Sequence, residues 1–297
     1  MEKIVIVDAN AIVHRSYHGF TPKYDKKGKD QRVLFGLIQE LVDISFVIEN
    51  IDYLFMVFDP EDGYLFRRSQ YFPYKQNRKE KDIELINQQK QAEYILKHQI
   101  GIPLVSYQGY EADDIIGSIA HISKENFEIV IVSPDKDLTQ LVETNITLLR
   151  KRKIEQKNRY VWMDQEKIIQ EFGIYAKQIP DWLALVGDSS DNLPGLSKIG
   201  AKTASKLLNQ YESIEHLIAI AHEIENEKLK KEILSSKESL ILVKKLATVV
   251  KNLPIKNLME ESLIFATEIR KKSDYEMNLK RLESFFDWPE HYKKLFI

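Results

Sequence analysis

Acidic residues that follow apolar runs are the first feature of this sequence that could do chemistry. Asp8, Asp59 and Asp135 each come at or just after the end of a short run of β-branched and aliphatic residues. Ligands of open parallel sheets bind beyond the carboxyl ends of the strands, so we expect these acids to meet at one sheet edge. The full candidate set contains nine carboxylates: Asp8, Asp59, Glu111, Asp113, Asp114, Asp135, Asp137, Asp188 and Asp191.

Carboxylates crowded at one edge repel and raise one another's pKa unless a cation neutralises them. The chain has no cysteine, and its seven histidines do not cluster, so the ligands available to a metal are oxygen atoms. Oxygen ligands select hard ions such as Mg²⁺ or Mn²⁺. Two such ions about 3.5–4 Å apart favour in-line displacement at a phosphate. The predicted chemistry is phosphodiester hydrolysis.

Simpler interpretations of the individual acidic motifs remain open. Glu111–Asp114 precedes an apolar helical pattern, where acidic residues cap a helix and favour its dipole. Asp135–Asp137 is equally consistent with a plain turn or helix cap. The metal hypothesis depends on the acids acting as one set.

Two basic segments could contact nucleic acid. Between Tyr64 and Lys81, arginines and lysines alternate with aromatic residues, a composition suited to phosphate contact and base stacking. A solvated helix with its aromatics packed on the core is the alternative. Arg150–Arg159 is predicted either as a phosphate-contacting loop or as an exposed hairpin.

Glycines frame a turn at residues 195–200 that leads into a helical pattern. Helix amides there could hold a phosphate while Lys198, Lys202 and Lys206 add positive charge. A helix-turn-helix that serves only packing is the alternative.

The elements that must position these residues are predicted as strands alternating with helices. Strand-like runs occur at 4–7, 53–58, 103–107 and 128–132, and this alternation indicates an α/β fold with a parallel sheet. After about Ile179 the strand signal disappears, and periodic leucines and isoleucines predict an all-helical module.

Composition limits the possible classes of protein. The chain has 297 residues, 43% hydrophobic and 30% charged, and a net charge of −2. No apolar run approaches the ~20 residues that span a bilayer, and no signal peptide is recognisable, so we expect no membrane association and a cytoplasmic location. With so little net charge, nucleic-acid binding requires segregated basic patches.

In order along the chain, the motifs resemble those of the 5′ nuclease (flap endonuclease) superfamily, above all the 5′ nuclease domain of bacterial DNA polymerase I and its stand-alone relatives. The stretches that carry the resemblance are Val7–Asn10, Arg15–His18, Phe58–Asp59, Phe66–Arg67, Tyr71, Tyr74–Lys75, Arg78, Gly109–Asp114, Asp135–Leu138 and Leu185–Gly195.

The resemblance implies a PIN-like parallel-sheet nuclease core over residues 1–180, with a helical arch at about 64–100. It also implies a helix-three-turn-helix module at 181–250 and a C-terminal helical segment at 251–297 that packs back on the core. Lys198 stands where relatives commonly have glycine. Since no polymerase or proofreading domain follows, a stand-alone, monomeric exonuclease is expected.

The resemblance also implies roles for individual residues. Asp8, Asp59, Glu111, Asp113, Asp114 and Asp135 would form one Mg²⁺ or Mn²⁺ site with its surroundings, and Asp137, Asp188 and Asp191 the second. Lys75 and Arg78 would be catalytic, acting on the scissile phosphate. The implied contacts with DNA are Arg15, Arg67, Tyr74, Lys198, Gly200, Lys202 and Thr203, with K⁺ as a possible ion at the glycine turn.

The implied substrate is branched or 5′-ended DNA, such as a flap, a nick or an RNA primer junction, which polymerase and ligase would process in sequence. Two rival functions are weighed against this. An α/β phosphatase with Asp8 as nucleophile usually has a second Asp two residues on, where this chain has Asn10. A catalytically silent DNA-junction-binding protein would have lost ligands, and all nine acids are present.

Overall fold

The computed structural model describes residues 1–155, 157–255 and 257. Its centre is a six-stranded sheet in the order β3-β2-β1-β4-β5-β6. The strands are β1 (Glu2–Asp8), β2 (Tyr53–Val57), β3 (Leu104–Val105), β4 (Phe127–Val132), β5 (Ile146–Ile154) and β6 (Lys157–Met163). Neighbouring strands from β3 to β5 are parallel, and β6 alone is antiparallel.

The predicted α/β fold with its parallel sheet is confirmed, and each of the four predicted runs contains a strand. In the segment Arg150–Arg159, which the sequence leaves open between a loop and a hairpin, residues 150–154 and 157–159 lie on the paired antiparallel strands β5 and β6. Strand β5 begins with the mainly apolar Ile146–Leu149 and continues through basic residues. These basic residues made the second half of the strand hard to recognise in the sequence.

Helices cover both faces of the sheet and then form a separate helical region. In chain order they are α1 (Ala9–Gly19), α2 (Arg32–Ser45), α3 (Leu65–Arg68), α4 (Ile83–Ile95), α5 (Ala112–Ser123), α6 (Gln165–Phe172), α7 (Ile179–Val186), α8 (Ala201–Tyr211), α9 (Ile214–Ala219), α10 (Glu227–Ser235) and α11 (Lys237–Ala247). A π-helical turn, Leu96–Ile100, extends α4, and short 3₁₀ turns lie at Asp137–Leu141, Ala176–Gln178 and Ala221–Glu223.

Alternate residues of β1 divide the core between the two faces. Val5 and Val7 pack with residues of α1, α2 and α4, whereas Ile4 and Ile6 pack with α5 and the helices from α7 onward. Successive side chains of a strand point to opposite faces, and both faces are covered. This explains why the predicted strands are continuous apolar runs.

The predicted helical arch, about 64–100, is only partly helical. Helix α3 is short, and between Ser69 and Asp82 the chain makes turns before α4 begins. Pro73 interrupts helical hydrogen bonding, and Lys75 has a left-handed backbone with φ of 54°. The basic and aromatic residues of this segment therefore lie mostly on turns.

The chain after α11 is fastened to the sheet domain. Arg67 donates to the carbonyls of Leu246 (2.8 Å) and Thr248 (3.3 Å), and Asp114 accepts from the amide of Val250 (2.9 Å). The predicted packing of 251–297 on the core falls largely outside the described residues, although Leu253 N donates to Ser118 Oγ. No helix within the described part of the chain is long and apolar enough to cross a membrane.

Helices α1 and α2 approach closely at Gly36. A Cβ added to Gly36 would lie 1.8 Å from Ser16 Oγ and 2.6 Å from Ser16 Cβ. Ser16 is fully buried, so its side chain has little room to move away. The glycine therefore sets the distance between the helix that follows Asp8 and its neighbour.

We expect Gly36→Ala to lower the free energy of unfolding by about 1–3 kcal/mol, because the added methyl overpacks the α1–α2 contact. Urea unfolding followed by circular dichroism measures this change. Ser16→Gly in the same chain should recover most of the loss, since it removes both clashing atoms. Gly19→Ala is the control: no atom lies within 4 Å of its added Cβ. Equal losses at both glycines would contradict the packing argument.

Candidate active site

Asp8 ends β1 and begins α1, so its carboxylate lies at the carboxyl edge of the sheet. It caps α1 by accepting from the amide of Ala11 (3.3 Å), and it accepts from Ser133 Oγ (2.7 Å). Burial raises the pKa of Asp8 to about 6, although both hydrogen bonds oppose this rise. The negative charges of Asp135 and Asp59 raise it further. Asp8 is therefore an ionisable group held in a crowded acidic environment.

Asp59 and Asp113 come from neighbouring elements at the same edge. Asp59 follows β2 and accepts from the amide of Ala112 (2.8 Å) at the start of α5. Burial raises the pKa of Asp59. Burial and the charges of Asp135 and Asp8 raise the pKa of Asp113 well above its usual range. Acids far apart in sequence thus act on one another, as the sequence predicted.

Asp135 and Asp137 occupy the turn after β4. Ser133 Oγ accepts from the amide of Asp135 (3.0 Å), and Asp135 Oδ1 accepts from the amide of Asp137 (2.8 Å). Burial and the charge of Asp135 raise the pKa of Asp137 to about 8. Its Oδ1 is buried and has no hydrogen-bond partner among the described residues. That oxygen atom is suited to a cation.

Asp188 and Asp191 complete the acidic set from the loop after α7. After burial and the charge of Asp135, the charges of Asp188 and Asp191 also contribute to the raised pKa of Asp137. Asp188 forms an ion pair with Lys136 (3.2 Å) and accepts from the amide and hydroxyl of Ser190. The second metal site that the resemblance implied for Asp137, Asp188 and Asp191 stays a prediction.

The loop around Asp188 depends on a close approach of two glycines. Gly187 has a φ of 80°, and a Cβ placed on it would lie 2.5 Å from Gly195 N. A Cβ on Gly195 would lie 2.3 Å from the carbonyl carbon of Val186. Only glycine fits both positions. The backbone can therefore fold back sharply and present Asp188 and Asp191 to the site.

The segment that carries Lys75 and Arg78 lies across this edge. The Lys75 ammonium pairs with Glu111 and lies 3.6 Å from Asp191, and Arg78 pairs with Asp191 (2.6 Å). Burial alone would lower the Lys75 pKa, but the charges of Glu111 and Asp191 raise it above its ordinary value. Tyr74 donates to Glu111 (2.7 Å). Both predicted catalytic cations thus contact the acidic cluster.

Asp114 differs from the other acids because both of its carboxylate oxygens bind one buried arginine. It is fully buried, and its two oxygens accept from Arg67 at 2.5 and 2.8 Å. Asp114 also accepts from the amide of Glu111 (3.3 Å), the cap geometry considered from the sequence. Arg67 itself is only 3% exposed. Arg67 therefore has no accessible donor for the predicted contact with DNA. Its guanidinium pairs instead with Glu111 and Asp114.

The remaining predicted DNA contacts differ in accessibility. Tyr74 is buried, and Arg15 is half-buried and pairs with the buried Glu40 (2.5 Å). In contrast, four residues of the glycine turn and the start of α8 are exposed: Lys198, Gly200, Lys202 and Thr203. Lys198 has a φ of 63°, the backbone region that favours glycine, which accounts for the glycine expected there.

Ser133 is a site residue that the sequence analysis missed. Its hydroxyl donates to the Asp8 carboxylate and accepts from the backbone amide of Asp135, so it holds one carboxylate and the backbone that carries the other. The sequence signal that could have identified Ser133 is its position between the end of a buried strand and Asp135, two residues before that acid. Asn10 belongs to the Val7–Asn10 stretch but had no role in the predicted site. It is buried near Asp8, and its amide has no partner among the described residues.

The donor chemistry fits divalent cations. The acidic side chains are oxygen ligands, several are buried with raised pKa, and one has an unpaired lone-pair atom. Over residues 1–155 and 157–255, no three acidic or histidine side chains converge into a ready coordination sphere. Like charges repel one another, and Lys75 and Lys136 draw some of these carboxylates aside.

Comparison with solved structures supports the fold. A bacteriophage T5 flap endonuclease in complex with DNA and metal ions has a TM-score of 0.68 and 18% identity, covering 91% of this chain and 100% of that one. The catalytic core of Rad2 in complex with DNA substrate has a TM-score of 0.55 and 17% identity, covering 92% of this chain and 90% of that one.

Relatives are closer in sequence. The 5′-3′ exonuclease of Aquifex aeolicus is 35% identical, covering 89% of this chain and 86% of the relative. The 5′-3′ exonuclease of Buchnera aphidicola subsp. Schizaphis graminum is 33% identical, covering 95% and 96%. DNA polymerase I of Caldicellulosiruptor bescii is 32% identical over 87% of this chain, which spans only 30% of that longer relative.

Two family descriptions together match nearly the whole chain. Residues 3–173 match the 5′-3′ exonuclease N-terminal resolvase-like domain, and residues 174–271 match the 5′-3′ exonuclease C-terminal SAM fold. The acidic edge, the cations across it and the glycine-framed turn all lie within these ranges. The chain therefore belongs to the 5′-3′ exonuclease family.

Proposed function

We propose that this protein is a structure-specific 5′ nuclease, acting as a 5′-3′ exonuclease and flap endonuclease on DNA phosphodiesters. The observation that carries the proposal is the set of mutually interacting carboxylates at one sheet edge, with Lys75 and Arg78 beside them. Acids and cations gathered in this way suit hydrolysis of a phosphodiester better than simple binding, because binding an anion gains nothing from buried carboxylates.

Two divalent cations, Mg²⁺ or Mn²⁺, would occupy the acidic edge. Asp8, Asp59, Glu111, Asp113 and Asp135 would hold one ion, and Asp137, Asp188 and Asp191 the other, while Asp114 supports the first group through Arg67. When bound, such ions supply Lewis-acid polarisation of the phosphate and activation of water. Ser133 would keep Asp8 and Asp135 in place during the reaction.

Lys75 and Arg78 would act on the scissile phosphate directly. Fixed positive charges stabilise negative charge that develops in a transition state, and they cost little reorganisation when they are already positioned. Lys75 is positioned by Glu111 and by its amide, which donates to the Asp191 carbonyl (3.0 Å). A substrate phosphate would have to attract both side chains away from these carboxylates, and bound metal ions would help by neutralising the acids.

The glycine turn and α8 would hold duplex DNA. Lys198, Lys202 and Thr203 are exposed around the N-terminus of α8, where backbone amides favour phosphate. A K⁺ ion at this turn belongs to the same proposal. The T5 and Rad2 structures are complexes with DNA, which supports the assignment of the substrate class.

The proposed biological substrate is a flap, a nick or an RNA primer junction, with a polymerase and a ligase acting before and after. The products would be 5′-phosphorylated fragments. We propose also that the enzyme is monomeric and cytoplasmic, and that its domains meet near residues 180 and 250.

The experiment that tests this function is cleavage of a 5′-labelled flap beside a blunt duplex, with Mg²⁺, Mn²⁺ or chelator. Tight binding to the flap without cleavage in any metal would replace the proposal with a silent DNA-binding protein.

Asp135→Asn should reduce the cleavage rate at least about 100-fold, because it removes a proposed metal ligand. The asparagine oxygen can still accept from the Asp137 amide, so the turn after β4 should survive. Loss of a repelling charge should leave the melting temperature in chelator unchanged or higher, and the increase caused by Mn²⁺ should shrink. Differential scanning calorimetry and the flap assay measure both. Full activity of this variant would refute the metal assignment.

Lys75→Gln should lower kcat about 10- to 100-fold with little change in KM, because the proposed charge acts mainly in the transition state. Single-turnover cleavage at saturating enzyme isolates this step. Lys79→Gln is the matched control, since Lys79 is an exposed lysine on the same segment. It should affect KM more than kcat. If both variants behave alike, Lys75 has no special part in the chemistry.

Lys198→Gly should stabilise the protein by up to about 1 kcal/mol, because glycine tolerates the left-handed backbone there. It should also weaken duplex binding and reduce its salt dependence, since one phosphate contact is lost. Fluorescence anisotropy at several salt concentrations, in Ca²⁺ to prevent cleavage, measures the second effect. Lys198→Ala separates the two, because it removes the charge without relieving the backbone. An unchanged salt slope in both variants would contradict contact with DNA.

A further inference from the structure

Phe72 presents an unusually exposed ring beside the candidate active site. It is 73% exposed, and the next most exposed aromatic residues in the described part of the chain, Tyr24 and Phe46, are 63% exposed. Its aromatic neighbours behave differently: Tyr71 packs against the core, and Tyr74 is 2% exposed. A single exposed ring is common on protein surfaces. Phe72 is informative because it lies three residues before Lys75, which contacts the acidic cluster.

The ring is mounted on a well-defined turn. The amide of Tyr74 donates to the carbonyl of Tyr71 (3.0 Å), which closes a turn around Phe72 and Pro73. Asn192 Nδ2 donates to the Pro73 carbonyl (2.8 Å), and Arg68 Nε donates to the Tyr74 carbonyl (3.0 Å). A residue before proline also has few backbone conformations available. Phe72 is therefore held out on a fixed support.

The surroundings of Phe72 indicate what could cover it. Lys75, three residues on, pairs with Glu111 in the acidic cluster, and Arg78 pairs with Asp191. Exposed Lys79 and Lys81 follow on the same segment. A single-stranded nucleic acid fits these surroundings. Its bases have flat faces that can stack on the exposed ring, and its phosphates can contact the lysines that follow.

We propose that Phe72 stacks on a base of the single-stranded 5′ part of the substrate and so positions that strand for cleavage. Phe72 is then a substrate-positioning residue, distinct from the cations that act on the phosphate. This inference rests on the proposed function, because it names one contact of the same site. Stacking tolerates any base, which suits an enzyme that recognises structure and not sequence.

The test is a cycle of protein and substrate changes on a 5′ flap in Mg²⁺. Phe72→Ala should raise KM about tenfold with kcat nearly unchanged, because the stack is present in the ground state as well as in the transition state. Replacing the flap nucleotides with abasic units should cost the wild-type protein a similar factor. The two changes together should cost little more than either alone, since both remove the same contact. Phe72→Trp should retain wild-type KM.

Phe46→Ala is the matched control for this cycle. Phe46 is 63% exposed and follows α2 in the loop that reaches the amino edge of the sheet, where Lys3 contacts Glu49 and Asp52. It should leave KM unchanged on both substrates. Equal KM values for Phe72→Ala and wild type, or a Phe72→Ala penalty that persists in full on the abasic flap, would overturn the stacking proposal. Absence of cleavage by the wild-type protein would instead overturn the proposed function.

Discussion

Repulsion between carboxylates is the constraint on which the rest of this structure depends. Burial raises the pKa values of Asp8, Asp113 and Asp137, and the negative charges of neighbouring acids raise them further. Such an arrangement is unfavourable unless the surrounding fold is stable enough to impose it. The apolar strands β1 and β4, covered on both faces, provide that stability immediately beneath the acids. Catalytic capacity and local instability therefore have the same physical origin.

The fold distributes this unfavourable charge over two different kinds of partner. Asp114 and Glu111 are matched by the buried Arg67, whose remaining donors bind carbonyls at the end of α11. Buried pairs of this kind are fragile when one member is removed, because the other is left uncompensated. Glu111 and Asp191 also pair with Lys75, and Asp191 pairs with the more exposed Arg78. The buried part of the cluster thus links the sheet domain with the helical region, while the outer part holds the two cations that we propose act on the substrate.

Much of this arrangement could be predicted from the sequence, and the reasons are local. Asp8, Asp59 and Asp135 follow apolar strands, and parallel strands bring their ends together by topology alone. The acidic edge, the α/β class and the helical region followed from that reasoning. What could not be predicted depends on tertiary contacts between distant residues. Arg67 has the composition of a DNA contact, but Asp114 and the α11 carbonyls bury it. At 69–82, Pro73 is a local signal against a continuous helix, but the contacts of Lys75 with Asp191 and of Pro73 with Asn192 are not visible in any local pattern.

The order of the acids along the chain has a consequence for biosynthesis. The proposed metal ligands begin at Asp8 in the first strand and end at Asp191, after α7. No segment much shorter than this span can assemble both groups of carboxylates, so a nascent chain on the ribosome would carry an incomplete site until Asp191 has been made. If both groups of carboxylates hold metal ions as proposed, early fragments of the chain would have no cutting activity. Truncated translation products would therefore pose little danger to the DNA of the cell.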